Sequence, residues 1–218
     1  MPRRTLSEHR PWLLLSLVAA LAFYVLEDAR IGGLYIIAIK GAAVGLLAVY
    51  ALARHSSADA RLLAGALALS ALGDMGMLLD EQAGGALFLT SHLAAIALYM
   101  RNRRVKPAGS QKAAAFALLL LVPVIAWVIV GSLLVVLYAL VLSAMAAAAW
   151  TSRFPRYRVG VGALLFVASD LLIFARMGAW PGNPVSAWLV WPLYYAGQFL
   201  IATGVVQKLR HDPRETRN

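Results

Sequence analysis

Two aspartates sit where charge is least expected. Asp74 lies in the apolar run Leu62–Leu79 with Ser70 one helical turn before it, and Asp170 lies in Gly160–Ala175 with Ser169 beside it. An ionisable side chain inside such a run is costly to desolvate and by default marks a functional site. The alternative for each is a structural polar contact between helices. Two carboxylates in one low-dielectric cavity suit general acid–base work, because differing environments keep one protonated and leave the other as base. Lys40, His92, Tyr194, Tyr195 and Gln198 lie in comparable apolar runs.

Those runs dominate the chain. It has 218 residues, 61% hydrophobic and 14% charged, with mean hydropathy +0.74. A soluble core cannot cover apolar stretches this long, and runs of about 18 or more residues read as membrane-spanning helices. The chain therefore reads as an all-α, polytopic integral membrane protein. Its net charge of +10 does not point to nucleic acid. The basic residues fall between the apolar runs, and no basic stripe with interleaved aromatics exists to track phosphates.

Cysteine is absent, which removes disulfides, thiol catalysis and thiolate metal sites. There is no G-x-S-x-G elbow and no H-E-x-x-H, and one histidine with two scattered acids makes a poor metal site. Neither a metal nor another cofactor is expected. A retinal pigment is not expected either, since the intramembrane lysine, Lys40, lies in the second span and the last two spans carry none.

Eight spans account for the runs, at about 11–26, 31–53, 62–79, 84–100, 113–130, 133–150, 159–176 and 185–207, in a single transmembrane domain. The first follows Arg3, Arg4 and Arg10. It reads as an uncleaved anchor, because the apolar run continues past the small residues Ala19, Ala20 and Ala22. Residues 113–150 are too many for one crossing of about 30 Å of hydrocarbon at about 1.5 Å per residue, so Gly131-Ser132 forms a hairpin. Pro123 is expected to kink span five. Gly41 and Gly45 give a small-xxx-small spacing that admits a second helix, and Glu27, Asp28 and Arg30 read as a short solvated loop.

Eight spans put both termini on one side, and the charges agree. Seventeen of the 20 Lys and Arg residues lie on that side; Arg30 and Arg176 lie opposite, and Lys40 is within span two. By the positive-inside rule both ends are cytoplasmic. The Ala/Leu/Arg-rich composition points to a GC-rich genome, and the expected setting is a bacterial inner membrane. Spans three and seven run the same way and each place a serine shortly before an aspartate (Ser70 and Asp74, Ser169 and Asp170), which a 4+4 parallel pseudo-repeat would explain.

Topology converts positions into depths. Asp74 and Asp170 each fall roughly six residues, about 9 Å, before the outer end of their span. Lys40 lies about nine residues in from the outer end of span two, with His92, Tyr194, Tyr195 and Gln198 at similar depth. Five spans thus place polar groups in one slab, expected to line a cavity toward the outer half of the membrane. Tyr194 and Tyr195 lie too deep for an interfacial belt, which Trp188 and Trp191 suit, so one tyrosine is expected to pack. His92 and Gln198 equally suit contacts between helices.

An ordered set of motifs runs through these spans. Lys40 is followed by G-D-x-x-x-L (Gly73, Asp74, Leu78) and F-x-x-S-H-x-x-x-x-x-x-Y (Phe88, Ser91, His92, Tyr99). Then come G-A-x-x-F-x-x-S-D (Gly162, Ala163, Phe166, Ser169, Asp170) and Y-Y-x-x-Q-x-L-I (Tyr194, Tyr195, Gln198, Leu200, Ile201). The set resembles the YhhN family of membrane lysoplasmalogenases over spans two to four, seven and eight. It departs at Gly41, where that family commonly carries proline.

The resemblance implies hydrolysis of the vinyl-ether bond of a lysolipid, giving a fatty aldehyde and a glycerophospho-alcohol. Asp74 and Asp170 would divide the acid and base roles, in an order left open. Lys40 would tune them or bind the phosphate. His92, Ser169, Tyr194 or Tyr195, and Gln198 would position water and headgroup. The expected partners are the lysolipid substrate and membrane lipids, with the oligomeric state open. A proton-coupled transporter of lipid or small molecules is the competing reading of the same acids, although alternating access requires a polar route on both faces. A non-catalytic lipid-binding protein is a third.

Overall fold

The computed structural model describes residues 11–28 and 33–211. Arg3, Arg4, Arg10, Arg30, Arg214 and Arg217, which enter the charge argument, lie outside the described residues. The described chain holds eight α-helices: α1 Pro11–Asp28, α2 Leu34–Arg54, α3 Ala58–Gly76, α4 Glu81–Arg101, α5 Gly109–Val130, α6 Leu133–Thr151, α7 Val161–Met177 and α8 Pro184–Arg210. A π-helical turn, Arg156–Gly160, leads into α7. Among the described residues the sole β-type pairing is an isolated bridge between Arg103 and Ser152.

Six helices are long and apolar enough to cross a membrane, and α1 adds a shorter apolar stretch, Pro11–Glu27. The remaining helix, α3, carries Asp59, Arg61 and Asp74. Large apolar side chains stand exposed along several helices, among them Val18 and Val25 on α1, Phe116 and Val128 on α5, and Leu134 on α6. Contiguous apolar surface of this kind is unfavourable in water and suits lipid. This is an all-α integral membrane protein.

Helix ends differ from the sequence reading in instructive places. Glu27 and Asp28 belong to α1 rather than to a loop. The Ser57 hydroxyl accepts from the Ala60 amide at 3.2 Å and starts α3 ahead of Leu62, a capping bond that satisfies an orphan donor. At its other end α3 stops at Gly76, short of Leu79. The reason is a tight hairpin: a Cβ on Gly76 would lie 2.9 Å from the Gly84 Cα, and one on Gly84 would lie 2.5 Å from the Met77 amide nitrogen. Asp80 accepts from the Ala83 amide at 2.7 Å as α4 begins. Asp74 consequently occupies the last turn of α3 rather than a position some six residues inside it. The α5–α6 hairpin falls where expected, with Gly131 in the left-handed conformation at φ 67°, which glycine adopts without a Cβ penalty.

The chain divides into two compact units, one up to Ser91 and the other from His92. In the first, α2 packs against both α1 and α3. Ser16 donates to the Ala43 carbonyl at 2.5 Å across α1 and α2. Ser91 donates to the Ala66 carbonyl at 2.8 Å, so its 2.7 Å bond with Ser70 takes the Ser70 hydrogen. A Cβ on Gly41 would lie 2.6 Å from the Met75 sulfur. Glycine at that point lets α2 and α3 approach closely; Gly45 meets Ala71 only at ordinary distance, 3.7 Å.

In the second unit α7 and α8 share a seam of small residues. A Cβ on Gly162 would lie 2.7 Å from the Gly197 carbonyl oxygen, and a Cβ on Gly197 would lie 2.7 Å from that of Gly162. Backbones this close leave room for nothing but hydrogen at the seam. The basic segments of this unit are tied together at one end. Arg153 donates to the Asn102 side chain at 2.5 Å, Arg104 to the Ser152 carbonyl at 2.7 Å, and Arg158 bonds Gln207.

Candidate active site

The second unit assembles its polar side chains around Asp170. The α7 face bearing Gly162, Ala163, Phe166, Ser169 and Asp170 is buried, and Asp170 itself is 6% exposed. The Tyr138 hydroxyl, from α6, donates to Oδ2 of Asp170 at 3.0 Å. The same hydroxyl lies 3.1 Å from Nε2 of His92, on α4. His92 Nε2 is 4.0 Å from the same carboxylate oxygen. Three helices thus converge on one carboxylate through two hydrogen bonds.

A row of rings fixes these groups. His92 stands edge-on to Tyr138 at 5.6 Å and to Phe166 at 4.9 Å between centroids. Phe166 meets Tyr194 edge-on at 5.1 Å, and Tyr138 meets Phe174 at 6.0 Å. Edge-to-face contacts of this kind add about 0.5–1.5 kcal/mol each beyond area burial, and they limit the rotamers open to the imidazole and the phenol. Polar groups locked by their supporting shell are what acid–base chemistry requires.

The other expected residues of this unit take distinct places. Tyr194 belongs to the ring row, while Tyr195 stacks under Trp191 at 6.1 Å and 21°. Gln198 is buried one turn beyond Tyr194. Ser169, expected against substrate, donates to the Val190 carbonyl at 2.9 Å, a bond that joins α7 to α8. Tyr138 is the residue that sequence reasoning passed over. Its signal was a single hydroxyl in the aliphatic run Leu133–Leu142, about six residues or roughly 9 Å from the α5–α6 hairpin.

In the first unit Asp74 is also buried, at 3% exposure. A Cβ on the neighbouring Gly73 would lie 3.0 Å from the Phe88 ring, so glycine there allows α4 to pass close to α3. Lys40 is half-buried and holds its ammonium over the Phe23 ring of α1, 5.1 Å from the centroid. Such a cation–π contact contributes about 0.5–2 kcal/mol. Among the described residues no group of three or more His, Asp or Glu side chains is arranged to hold a metal ion.

This chain has recognisable relatives. It is 33% identical to the lysoplasmalogenase of Mycobacterium bovis (strain ATCC BAA-935 / AF2122/97), over 77% of this chain and 69% of the relative. The lysoplasmalogenase of Mycobacterium tuberculosis (strain CDC 1551 / Oshkosh) matches with the same identity and coverage. No solved structure matches. The YhhN family model matches residues 35–205, a span that contains Lys40, Asp74, His92, Tyr138, Asp170, Tyr194 and Gln198. The chain belongs to the YhhN family.

Proposed function

We propose that this protein is a lysoplasmalogenase-like hydrolase of the membrane, cleaving the vinyl-ether bond of a lysolipid to a fatty aldehyde and a glycerophospho-alcohol. The observation that carries the reading is a buried carboxylate, Asp170, hydrogen-bonded to Tyr138 and through it to His92, within the stretch that the family model matches. A vinyl ether opens when its carbon is protonated, giving an oxocarbenium-like cation that water attacks. Such a path needs an acid, a base and negative charge near the cation. A preorganised carboxylate meets the last two needs.

The sequence-based division of acid and base between Asp74 and Asp170 belongs to this proposal, as does phosphate binding by Lys40. Tyr194 and Gln198 are the proposed contacts for water or headgroup. The proposed setting is a bacterial inner membrane with both termini cytoplasmic and the chemistry in the outer half.

The test is substrate discrimination by detergent-purified protein. Vinyl-ether, alkyl-ether and acyl lysolipids of equal chain length are supplied in parallel. Only the vinyl ether gives a stabilised cation on carbon protonation, so it alone is expected to release aldehyde. No aldehyde from the vinyl ether, or fatty acid released from the acyl lysolipid instead, would contradict the proposal.

A further inference from the structure

The hydrogen-bonded row at Asp170 has a direction. The 3.0 Å bond joins the Tyr138 hydroxyl to Oδ2 of Asp170; a phenol carries one hydrogen, and with Asp170 as a carboxylate, which only accepts, that hydrogen points to Oδ2. The 3.1 Å bond to His92 is then completed by a hydrogen on Nε2, and the imidazole donates to the Tyr138 oxygen. Donors in series strengthen one another toward the final acceptor. The packing agrees, since His92 is 1% exposed and its ring is held by Tyr138 and Phe166.

We infer that Tyr138, oriented by His92, is a positioning residue that holds Asp170 as a carboxylate in the resting enzyme. This fixes one role within the reaction proposed above, on which it rests: Asp170 is the base and the counter-charge, and a carboxylic acid other than Asp170 is the proton donor. The donor's proton forms a C–H bond at the vinyl carbon as the C=C electron pair shifts, which leaves the oxocarbenium and a donor carboxylate. Water adds to the cationic carbon and its proton passes to Asp170. Asp170 then returns that proton to the departing glycerol oxygen as the C–O bond breaks. The hemiacetal hydroxyl proton restores the donor, and the aldehyde forms. Every proton is accounted for, and both carboxyl groups end as they began.

Two measurements test it. Infrared difference spectra at neutral pH, wild type minus Asp170→Asn, are expected to show a lost carboxylate band. A lost carboxylic-acid carbonyl band would overturn the inference. Tyr138→Phe keeps the ring that packs on His92 and Phe174, so thermal melting should stay within a few degrees. It is expected to lower kcat roughly 10²-fold, with KM within about threefold, and to give Asp170 a carboxylic-acid band. Turnover within twofold of wild type would overturn the inference. If the wild type released no aldehyde, the proposed reaction would fall by itself, whereas the infrared result needs no substrate and still decides the charge on Asp170.

Discussion

In the first unit the hydroxyls of Ser16 and Ser91 end on backbone carbonyls of a neighbouring helix, whereas in the second a phenol, an imidazole and a carboxylate end on one another. Both sets are buried polar groups inside apolar helices, and an inventory of residue types would rank them alike. Their partners separate them. A hydroxyl that satisfies a carbonyl removes an unpaired polar group and fastens two helices, and nothing is left over for chemistry. Ionisable groups joined in series retain a site that exchanges a proton. Ser169 and Asp170 carry the same contrast within a single helix: one joins α7 to α8 through the Val190 carbonyl, and its neighbour receives the Tyr138 hydrogen.

Substitutions can break this contrast or sharpen it. The largest effect on turnover outside the second unit is expected at Asp74, buried in the last turn of α3. Asp74→Asn should lower aldehyde release about 10²–10³-fold, as removal of a general acid does, without changing the melting temperature. A normal rate in steady-state assay would reduce Asp74 to helix packing.

Next comes the α7–α8 seam that carries Asp170. Gly197→Val drives side-chain atoms into the Gly162 carbonyl oxygen, which a Cβ alone would already approach to 2.7 Å. It should destabilise the fold by about 1–3 kcal/mol, as overpacking does, read from unfolding in denaturing detergent. An unchanged unfolding curve would mean that the seam can open without cost.

The smallest effect belongs to the serine clamp. Ser91→Ala removes the bond to the Ala66 carbonyl and the bond accepted from Ser70 and should cost about 1 kcal/mol, at about 0.6 kcal/mol for each such bond between membrane helices, with turnover within twofold of wild type. A well-folded Ser91→Ala variant that had lost turnover would place the clamp in the chemistry and dissolve the contrast.

Much of the fold was legible because apolar runs bounded by basic loops leave few alternatives. Eight runs gave eight helices, and the Gly131 hairpin fell at its predicted place. The ends were less legible, for a physical reason. Reading α3 from its first apolar residue overlooks Ser57, whose capping hydroxyl starts the helix among charged residues. At the far end, the close approach of Gly76 to Gly84 ends it before the hydrophobicity does.

At the site, Asp170 and His92 announced themselves as ionisable groups in apolar runs. Tyr138 did not, because a tyrosine among leucines and valines reads as packing until a partner is seen. Its partners lie 46 and 32 residues away in sequence. Gly41 was legible in part: its spacing from Gly45 announced a close helix, but the facing atom, the Met75 sulfur, lies 34 residues on and no local motif names it.

In the proposed reaction Asp170, with its donors, performs chemistry rather than holding helices together. Aldehyde release from vinyl-ether lysolipid by purified Asp170→Asn, compared with wild type and with samples matched for melting temperature, tests it most directly. The expected result is a fall of about 10³-fold, within the range for loss of an acid–base group. A rate within about threefold of wild type, at unchanged stability, is the result that would contradict it, since tenfold already corresponds to only about 1.4 kcal/mol.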